Sequence, residues 1–207
     1  MNENFAINIG RQLGSGGRLI GEKLAAEFGI SFYDKELIQI ASKESGLGKE
    51  FFEQADEKTS HSLLGGFLGF RSFYVDDSYL NNYLCNETLF KIQSDVIRKL
   101  AVANSCVFVG RCADYILREN PQCINIFICA NKEDRILRTA ERQQLTLDKA
   151  KEVIDKTDKK RASYYNYYSN KIWGAAASYH LCINSSTLGI DDTVEYIRKF
   201  ATKKLKL

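Results

Sequence analysis

The sequence predicts an α/β protein with a mostly parallel sheet and helices on both faces. Short apolar segments alternate with amphipathic ones along the 207 residues, in the order β-α-β-α…α-β-α-β-α-α-β-α. Strands that alternate with helices in this way form parallel sheets. A glycine-rich turn also joins the first strand to the first helix, at residues 10–18. Because ligands of such sheets bind beyond the carboxyl ends of the strands, that turn is a candidate site.

The first strand, turn and helix are the clearest part of the pattern. Large apolar side chains alternate with small or polar ones over residues 5–9, and residues 19–28 have helical spacing, with Gly29 suited to end the helix. Gly14, Gly16 and Gly17 let the backbone between these two segments turn tightly and expose its N–H groups. Backbone N–H groups at a helix N-terminus attract anions, and Arg18 adds a full positive charge. The alternative is an ordinary tight turn between a strand and a helix.

The same patterns predict the remaining elements. Strands are expected at residues 30–34, 106–109, 124–129 and 179–183. Helices are expected at residues 35–45, 51–58, 86–103, 112–117, 131–142, 146–168 and 191–205. Residues 63–83 are instead rich in glycine and aromatic side chains. They form either a loop that packs against the domain or a mobile lobe that closes over a substrate.

Composition limits the class of protein. Hydrophobic residues make up 44% and charged residues 27%, which is typical of soluble proteins, and the net charge of +3 is too small to indicate a nucleic-acid partner. Six cysteines without a CxxC pair, together with only two histidines, make a zinc site improbable. No apolar run approaches the roughly 20 residues of a membrane span. We therefore expect one domain in the cytoplasm, with reduced thiols and no membrane or nucleic-acid partner.

The glycine-rich turn differs from the standard phosphate loop, G-x-x-x-x-G-K-[ST]. Gly17 and Arg18 stand where Gly and Lys would be, Leu19 replaces the hydroxyl residue, and Gln12 replaces the first glycine. An arginine can bind phosphate through two parallel hydrogen bonds. Leu19 cannot ligate magnesium, because its side chain has no oxygen.

A series of basic residues on two consecutive helices is the second signal. Arg135, Arg138 and Arg142 share one helix face, and Asp155, Asp158 and Arg161 share a face of the next, beside Lys156, Lys159 and Lys160. One interpretation is two solvated faces with weak ion pairs. The other is a helical lid that carries arginines onto transferring phosphates, with the aspartates orienting them.

Two further candidates follow strand ends. Gly110-Arg111 comes after a buried strand, where the arginine either points into the ligand cleft or forms a structural ion pair. Asp34 ends the second strand and could hold a substrate hydroxyl, accept a proton or cap the following helix. The tyrosines at 164, 165, 167 and 168 are expected to pack in the core, with base stacking as the alternative.

Four segments together resemble the cytidylate kinase-like family, a branch of the nucleoside monophosphate kinases among the P-loop NTPases. They are residues 10–18, 32–38 (FYDKELI), 109–117 (VGRCADYIL) and 155–161 (DKTDKKR). The resemblance extends from Ile7 to about Ile197. It implies one domain over residues 1–207, with a P-loop NTPase-like parallel sheet of about five strands. It also implies an acceptor-side insert at about 60–85 and a helical lid at about 131–168.

The resemblance implies transfer of the γ-phosphoryl group of ATP to a nucleoside monophosphate, CMP or dCMP, with Mg²⁺. The donor phosphates would be bound by Gly14, Ser15, Gly16, Gly17, Arg18 and Leu19. The acceptor would be bound by Arg11, Asp34 and Arg111. Catalytic roles fall to Arg18, Arg135, Arg161 and Asp158, and the lid would also use Arg138, Arg142 and Asp155. No residue is assigned to a metal, so phosphate oxygens, water and an aspartate would hold Mg²⁺.

Two alternatives remain open at this point. The chain could be a nucleotide- or anion-binding protein on the same scaffold without efficient phosphoryl transfer, because the loop lacks the hydroxyl that ligates magnesium. It could also be a kinase of a different small acceptor. The oligomeric state does not follow from the sequence.

Overall fold

The computed structural model describes residues 4–34, 46 and 79–207, with side chains of the last range described from residue 87 onward. The helices expected at 35–45 and 51–58 lie outside these residues, as do residues 63–78 of the glycine-rich segment. The chain divides into two compact units, residues 1–35 with 97–207, and residues 36–96. The sheet and the candidate site described below belong to the first unit.

The element order agrees with the sequence prediction over the described ranges. The strands are β1 (Ala6–Arg11), β2 (Ser31–Tyr33), β3 (Cys106–Val109), β4 (Cys123–Cys129) and β5 (Leu181–Asn184). The helices are α1 (Gly17–Phe28), α2 (Tyr79–Ala103), α3 (Ala113–Ile116), α4 (Lys132–Gln143), α5 (Leu147–Ser169) and α6 (Ser185–Leu205). A short 3₁₀ turn, Ala176–Ser178, precedes β5.

The five strands form one parallel sheet in the order β2-β3-β1-β4-β5. The predicted P-loop NTPase-like fold class, α/β with about five parallel strands, is confirmed. β1 is central, with β3 on one side and β4 on the other, so the chain crosses over β1 between these two strands. Such a crossing creates a switch point at the carboxyl end of the central strand. The glycine-rich turn starts at that end.

Helices cover both faces of the sheet. On one face, Ile7 and Ile9 pack with Leu24 of α1 and Ile197 of α6 in the main buried core. Side chains alternate between faces along a strand, so Phe127 projects to the other face. There its ring lies 5.0 Å from that of Tyr179, centroid to centroid.

Several boundaries differ from the prediction. Helix α2 begins at Tyr79 rather than at residue 86, because no proline or glycine interrupts residues 79–86. Helix α6 begins at Ser185, six residues early, with a kink at Gly189, whose φ is 78° and ψ is 177°. Strand β5 begins at Leu181, because Tyr179 instead packs against Phe127.

Within the described ranges, no helix combines the length and apolar character that a membrane crossing requires.

Candidate active site

The turn between β1 and α1 is held in a conformation that depends on glycine. Gly14 and Gly16 both have φ near 78°, in the left-handed region that side chains disfavour. Gly16 is the N-cap of α1, and no side chain caps the helix there. Helix geometry leaves the N–H groups of the first turn without intrahelical partners.

The turn is also closely packed. A Cβ placed on Gly14 would lie 2.5 Å from the backbone oxygen of Arg135 on α4. One on Gly16 would lie 2.3 Å from Cδ1 of Ile190 on α6. A substitution at Gly14 must therefore move the turn or α4, whereas one at Gly16 displaces the end of the Ile190 side chain and strains the left-handed backbone.

Backbone carbonyls of the turn accept hydrogen bonds from side chains of α4, α5 and α6. The bonds are Arg161 Nη1 to Arg11 O (3.1 Å), Arg135 Nε to Leu13 O (2.8 Å), Arg138 Nη1 to Gly14 O (3.4 Å) and Ser185 Oγ to Ser15 O (2.7 Å). In the described part of the chain, the N–H groups of Gly14, Gly16 and Gly17 have no hydrogen-bond partner. Clustered N–H groups of this kind form anion-binding concavities.

Arg135 and Asp158 hold the backbone of Leu13 from both sides. The Leu13 N–H donates to Asp158 Oδ1 at 2.8 Å, while Arg135 Nε donates to the Leu13 carbonyl. Arg135 Nη2 also pairs with Asp158 Oδ2, and the two side chains are only 8% and 15% exposed. These two residues, predicted to be catalytic, therefore position the turn that α4 and α5 enclose.

The other predicted lid residues divide into an inner and an outer group. Arg161 lies inside, 3.9 Å from Asp158 Oδ1, and burial lowers the pKa of its guanidinium while Asp158 opposes that shift. Arg142 is exposed, and Asp155 forms a solvent-exposed pair with Lys132 at 3.3 Å. The predicted lid face is thus joined to the turn only by its inner residues.

Arg18 and Asp34 lie together. Arg18 Nε donates to Asp34 Oδ2 at 2.8 Å, and its Nη1 pairs with Glu22 Oε1 at 2.6 Å. The guanidinium also lies 5.7 Å from the centroid of the Phe32 ring. Asp34 is buried, whereas 56% of the Arg18 side chain is exposed. The predicted donor-side arginine and acceptor-side aspartate are therefore ion-paired, and Leu19 beside them is exposed.

If Arg18 binds phosphate, Arg18→Ala should weaken MgATP binding at least about tenfold, because a charge-assisted contact is lost. The substitution also removes a charge partner from Asp34, so the melting temperature should fall. The double variant Arg18→Ala/Asp34→Asn should recover the melting temperature without recovering affinity. Binding is measured by calorimetry without acceptor, with Arg198→Ala, an exposed arginine paired with Glu27, as control. Unchanged affinity in Arg18→Ala would mean that Arg18 has only a structural role, linking α1 to the end of β2 through its ion pair with Asp34.

The end of β3 has an unusual backbone. Gly110, Arg111 and Cys112 are consecutive residues with positive φ, of 83°, 59° and 55°. Side-chain-bearing residues adopt this region at a cost, and such strain concentrates at functional sites. The Arg111 guanidinium lies 5.8 Å from the centroid of the Tyr164 ring. Burial raises the pKa of the Tyr164 hydroxyl, and nearby Arg111 opposes the shift.

Sequence reasoning missed two of these roles. Ser185 is fully buried and bonds the turn at Ser15, although the only sequence signal was its place directly after a strand. Tyr164 was expected to pack in the core, and its contact with Arg111 connects α5 to the end of β3. Neither contact follows from spacing along the chain.

The residues at the turn do not fit a magnesium site held by the protein. Leu19 has no ligand atom, and Arg18 is a cation. Across the described residues, no group of three or more histidine, cysteine, aspartate or glutamate side chains could hold a metal ion. We therefore treat Mg²⁺ as part of a nucleotide substrate, MgATP, rather than as a resident ion.

With this geometry established, comparison with known proteins decides the family. A family profile described as the cytidylate kinase-like family matches residues 6–187. The chain belongs to the cytidylate kinase-like family. The resemblance carried by the loop and by the three further segments is confirmed. A search of curated proteins gives no match.

Solved structures agree with the fold of this cytidylate kinase-like protein. An uncharacterized protein from Eubacterium ventriosum is 28% identical with a TM-score of 0.72, over 96% of this chain and 98% of the other. Shikimate kinase from Bacteroides thetaiotaomicron is 15% identical with a TM-score of 0.50, over 95% and 97%. Dephospho-CoA kinase from Campylobacter jejuni is 16% identical with a TM-score of 0.50, over 95% and 97%. Family and fold together support a nucleotide-using kinase of a small molecule.

Proposed function

We propose that this cytidylate kinase-like protein transfers the γ-phosphoryl group of ATP to a nucleoside monophosphate, CMP or dCMP. One observation carries the proposal: the carbonyls of the β1–α1 turn are bound by surrounding side chains, while the N–H groups of Gly14, Gly16 and Gly17 have no partner among the described residues. That arrangement suits the phosphates of a nucleotide. Family membership supports ATP as the donor.

On the donor side, residues 14–19 would surround the phosphates of MgATP. Arg138 and Arg161 lie against the carbonyls of this turn, so they are close enough to neutralise charge that builds up during transfer. Arg135 and Asp158 would act by positioning the turn. Kinases of this kind do little covalent chemistry, so positioning and charge neutralisation provide the rate.

On the acceptor side, Arg11, Asp34 and Arg111 lie at the carboxyl ends of neighbouring strands β1, β2 and β3. Arginines suit a monophosphate, and Asp34 suits a sugar hydroxyl.

We include in the proposal the single-domain organisation with an insert at about 60–85 and a lid at about 131–168. We also include action on free nucleotides in the cytoplasm.

A second candidate function is nucleotide binding without efficient transfer. The observation in its favour is that Arg18, the first cation of α1, is paired with Asp34 and Glu22, and that Leu19 offers no oxygen to Mg²⁺. In this case the turn would still bind polyphosphate. A kinase of a different small acceptor would differ only in the acceptor-side residues.

The test is a coupled assay of ADP release with MgATP and each of CMP, dCMP, UMP, AMP and GMP. Turnover with CMP or dCMP is the expected result. Thermal stabilisation by MgATP without turnover would favour the binding protein or another acceptor. If the protein shows no turnover with any of these acceptors and MgATP does not stabilise it, the proposal is contradicted.

A further inference from the structure

The side chain of Arg11 crosses the glycine-rich turn. Arg11 is the last residue of β1, and its stem runs directly over Gly17, the first residue of α1. A Cβ placed on Gly17 would lie 2.6 Å from Cβ and 3.1 Å from Cγ of Arg11. The space that a side chain at position 17 would need is therefore filled by an arginine from the neighbouring strand.

The guanidinium of Arg11 ends at Gly110, directly after β3. A Cβ on Gly110 would lie 2.1 Å from Arg11 Nη1 and 3.0 Å from Cζ. Gly17 and Gly110 are thus both needed for this path of the side chain. The backbone of Arg11 is held as well, because Arg161 Nη1 donates to its carbonyl at 3.1 Å. Arg11 extends from the turn at one end to the strained backbone of residues 110–112 at the other.

We propose that Arg11 supplies the cation that lysine supplies in a standard phosphate loop, and that it does so from β1 instead of α1. This inference rests on the proposed function. A standard loop carries lysine directly after the glycine that ends it, with its ammonium on the β- and γ-phosphates. The sequence alone put Arg18 at the lysine position, but in the structure Gly16 is the N-cap of α1, so the residue directly after the last glycine of the turn is Gly17 rather than Arg18. Gly17 has no side chain, and the stem of Arg11 occupies its place.

The guanidinium provides a function that a lysine would not. It presents a planar fork of donors and can contact two phosphoryl groups at once. Lying between the turn and the end of β3, Arg11 reaches the donor phosphates and the acceptor phosphate together. During transfer, an acceptor phosphate oxygen bonds to the γ-phosphorus while the bond from that phosphorus to the β,γ-bridging oxygen breaks, leaving ADP. Arg11 stays protonated and balances the charge on the oxygens.

The test exchanges the two cation positions. The variants are Arg11→Ala, Arg11→Gly, Gly17→Lys and the double variant Arg11→Gly/Gly17→Lys. Arg11→Ala should weaken binding of inorganic tripolyphosphate at least tenfold and lower turnover at least a hundredfold. Gly17→Lys alone should also lose binding, because the lysine stem collides with Arg11. The double variant should recover at least tenfold in tripolyphosphate affinity over Arg11→Gly, because loss of both the Cβ and the Cγ of Arg11 leaves room for the lysine stem.

Tripolyphosphate binding is measured by calorimetry and needs neither ATP hydrolysis nor an acceptor. Arg118→Ala, at an exposed arginine that packs on Tyr115, should leave affinity unchanged. Equal tripolyphosphate affinity in Arg11→Ala and the parent would overturn the assignment of Arg11, even if the parent is an active kinase. Loss of affinity in Arg11→Ala with recovery in the double variant would support it, even if the parent has no kinase activity. If the parent protein does not bind tripolyphosphate, both the assignment of Arg11 and the proposed function are contradicted.

Discussion

Asp158→Ala is expected to lower the free energy of unfolding by about 3–5 kcal/mol, the usual cost of removing one partner of a buried ion pair. The substitution leaves Arg135, which is 7% exposed, without this partner and takes away the acceptor of the Leu13 N–H. The turn then loses one of its two supports at Leu13. We expect MgATP affinity to fall at least about tenfold as a result, because the phosphate-binding N–H groups are no longer held in place.

Chemical denaturation and calorimetry measure the two effects. The matched control is Glu152→Ala on the same helix, where the pair with Lys149 is 57% exposed on both sides; it should change neither quantity appreciably. Asp158→Asn keeps an oxygen for the Leu13 N–H and should give intermediate stability. If Asp158→Ala is as stable as the parent but does not turn over, Asp158 acts on the substrate directly, and the positioning role is wrong.

Gly14→Ala is expected to have a comparably large effect. A left-handed backbone costs a residue with a side chain about 1–2 kcal/mol, and overpacking adds about 1–3 kcal/mol. The added Cβ would lie 2.5 Å from a backbone oxygen and 2.9 Å from the Cα of Arg135, so a rotamer change cannot relieve the contact. The turn must shift, and nucleotide binding should be lost with it.

Gly29→Ala is the control that separates the cost of a left-handed backbone from the steric overlap at Gly14. Gly29 also has a positive φ, of 63°, but a Cβ there would meet nothing within 4 Å. It should therefore show only the backbone cost and keep its affinity for MgATP. Thermal unfolding with and without MgATP compares the two variants. Equal ligand-induced stabilisation in Gly14→Ala and Gly29→Ala would contradict the role of the turn.

Much of the fold could be predicted because its signals are local. Alternation over residues 5–9 and helical spacing over 19–28 are properties of single segments. Helix α5, expected from residue 146, begins next to its N-cap Thr146, whose side chain accepts from Lys149 N. The start of α6 was predicted less well. The helix was expected from residue 191, whereas it begins at Ser185 and bends at Gly189.

The candidate site was predicted as a set of residues but not as a set of contacts. The spacing of Arg135, Arg138 and Asp158 indicated charged helix faces, with a lid as one interpretation and a solvated surface as the alternative. The structure adds that the inner residues bind carbonyls of the glycine-rich turn. The orientation of each helix face depends on the packing of α4 and α5 against that turn.

The sequence alone determined the α/β class, the alternation of strands and helices that indicates a parallel sheet, the glycine-rich turn and the resemblance to the family. Those properties depend on patterns within short segments. Only the tertiary structure decided that Arg18 pairs with Asp34, that Arg11 lies over Gly17, and that Arg161 holds Arg11. The last contact joins residues 150 positions apart. Such partners meet because β1 is central in the sheet and α5 packs beside its carboxyl end, a relation that no local spacing encodes.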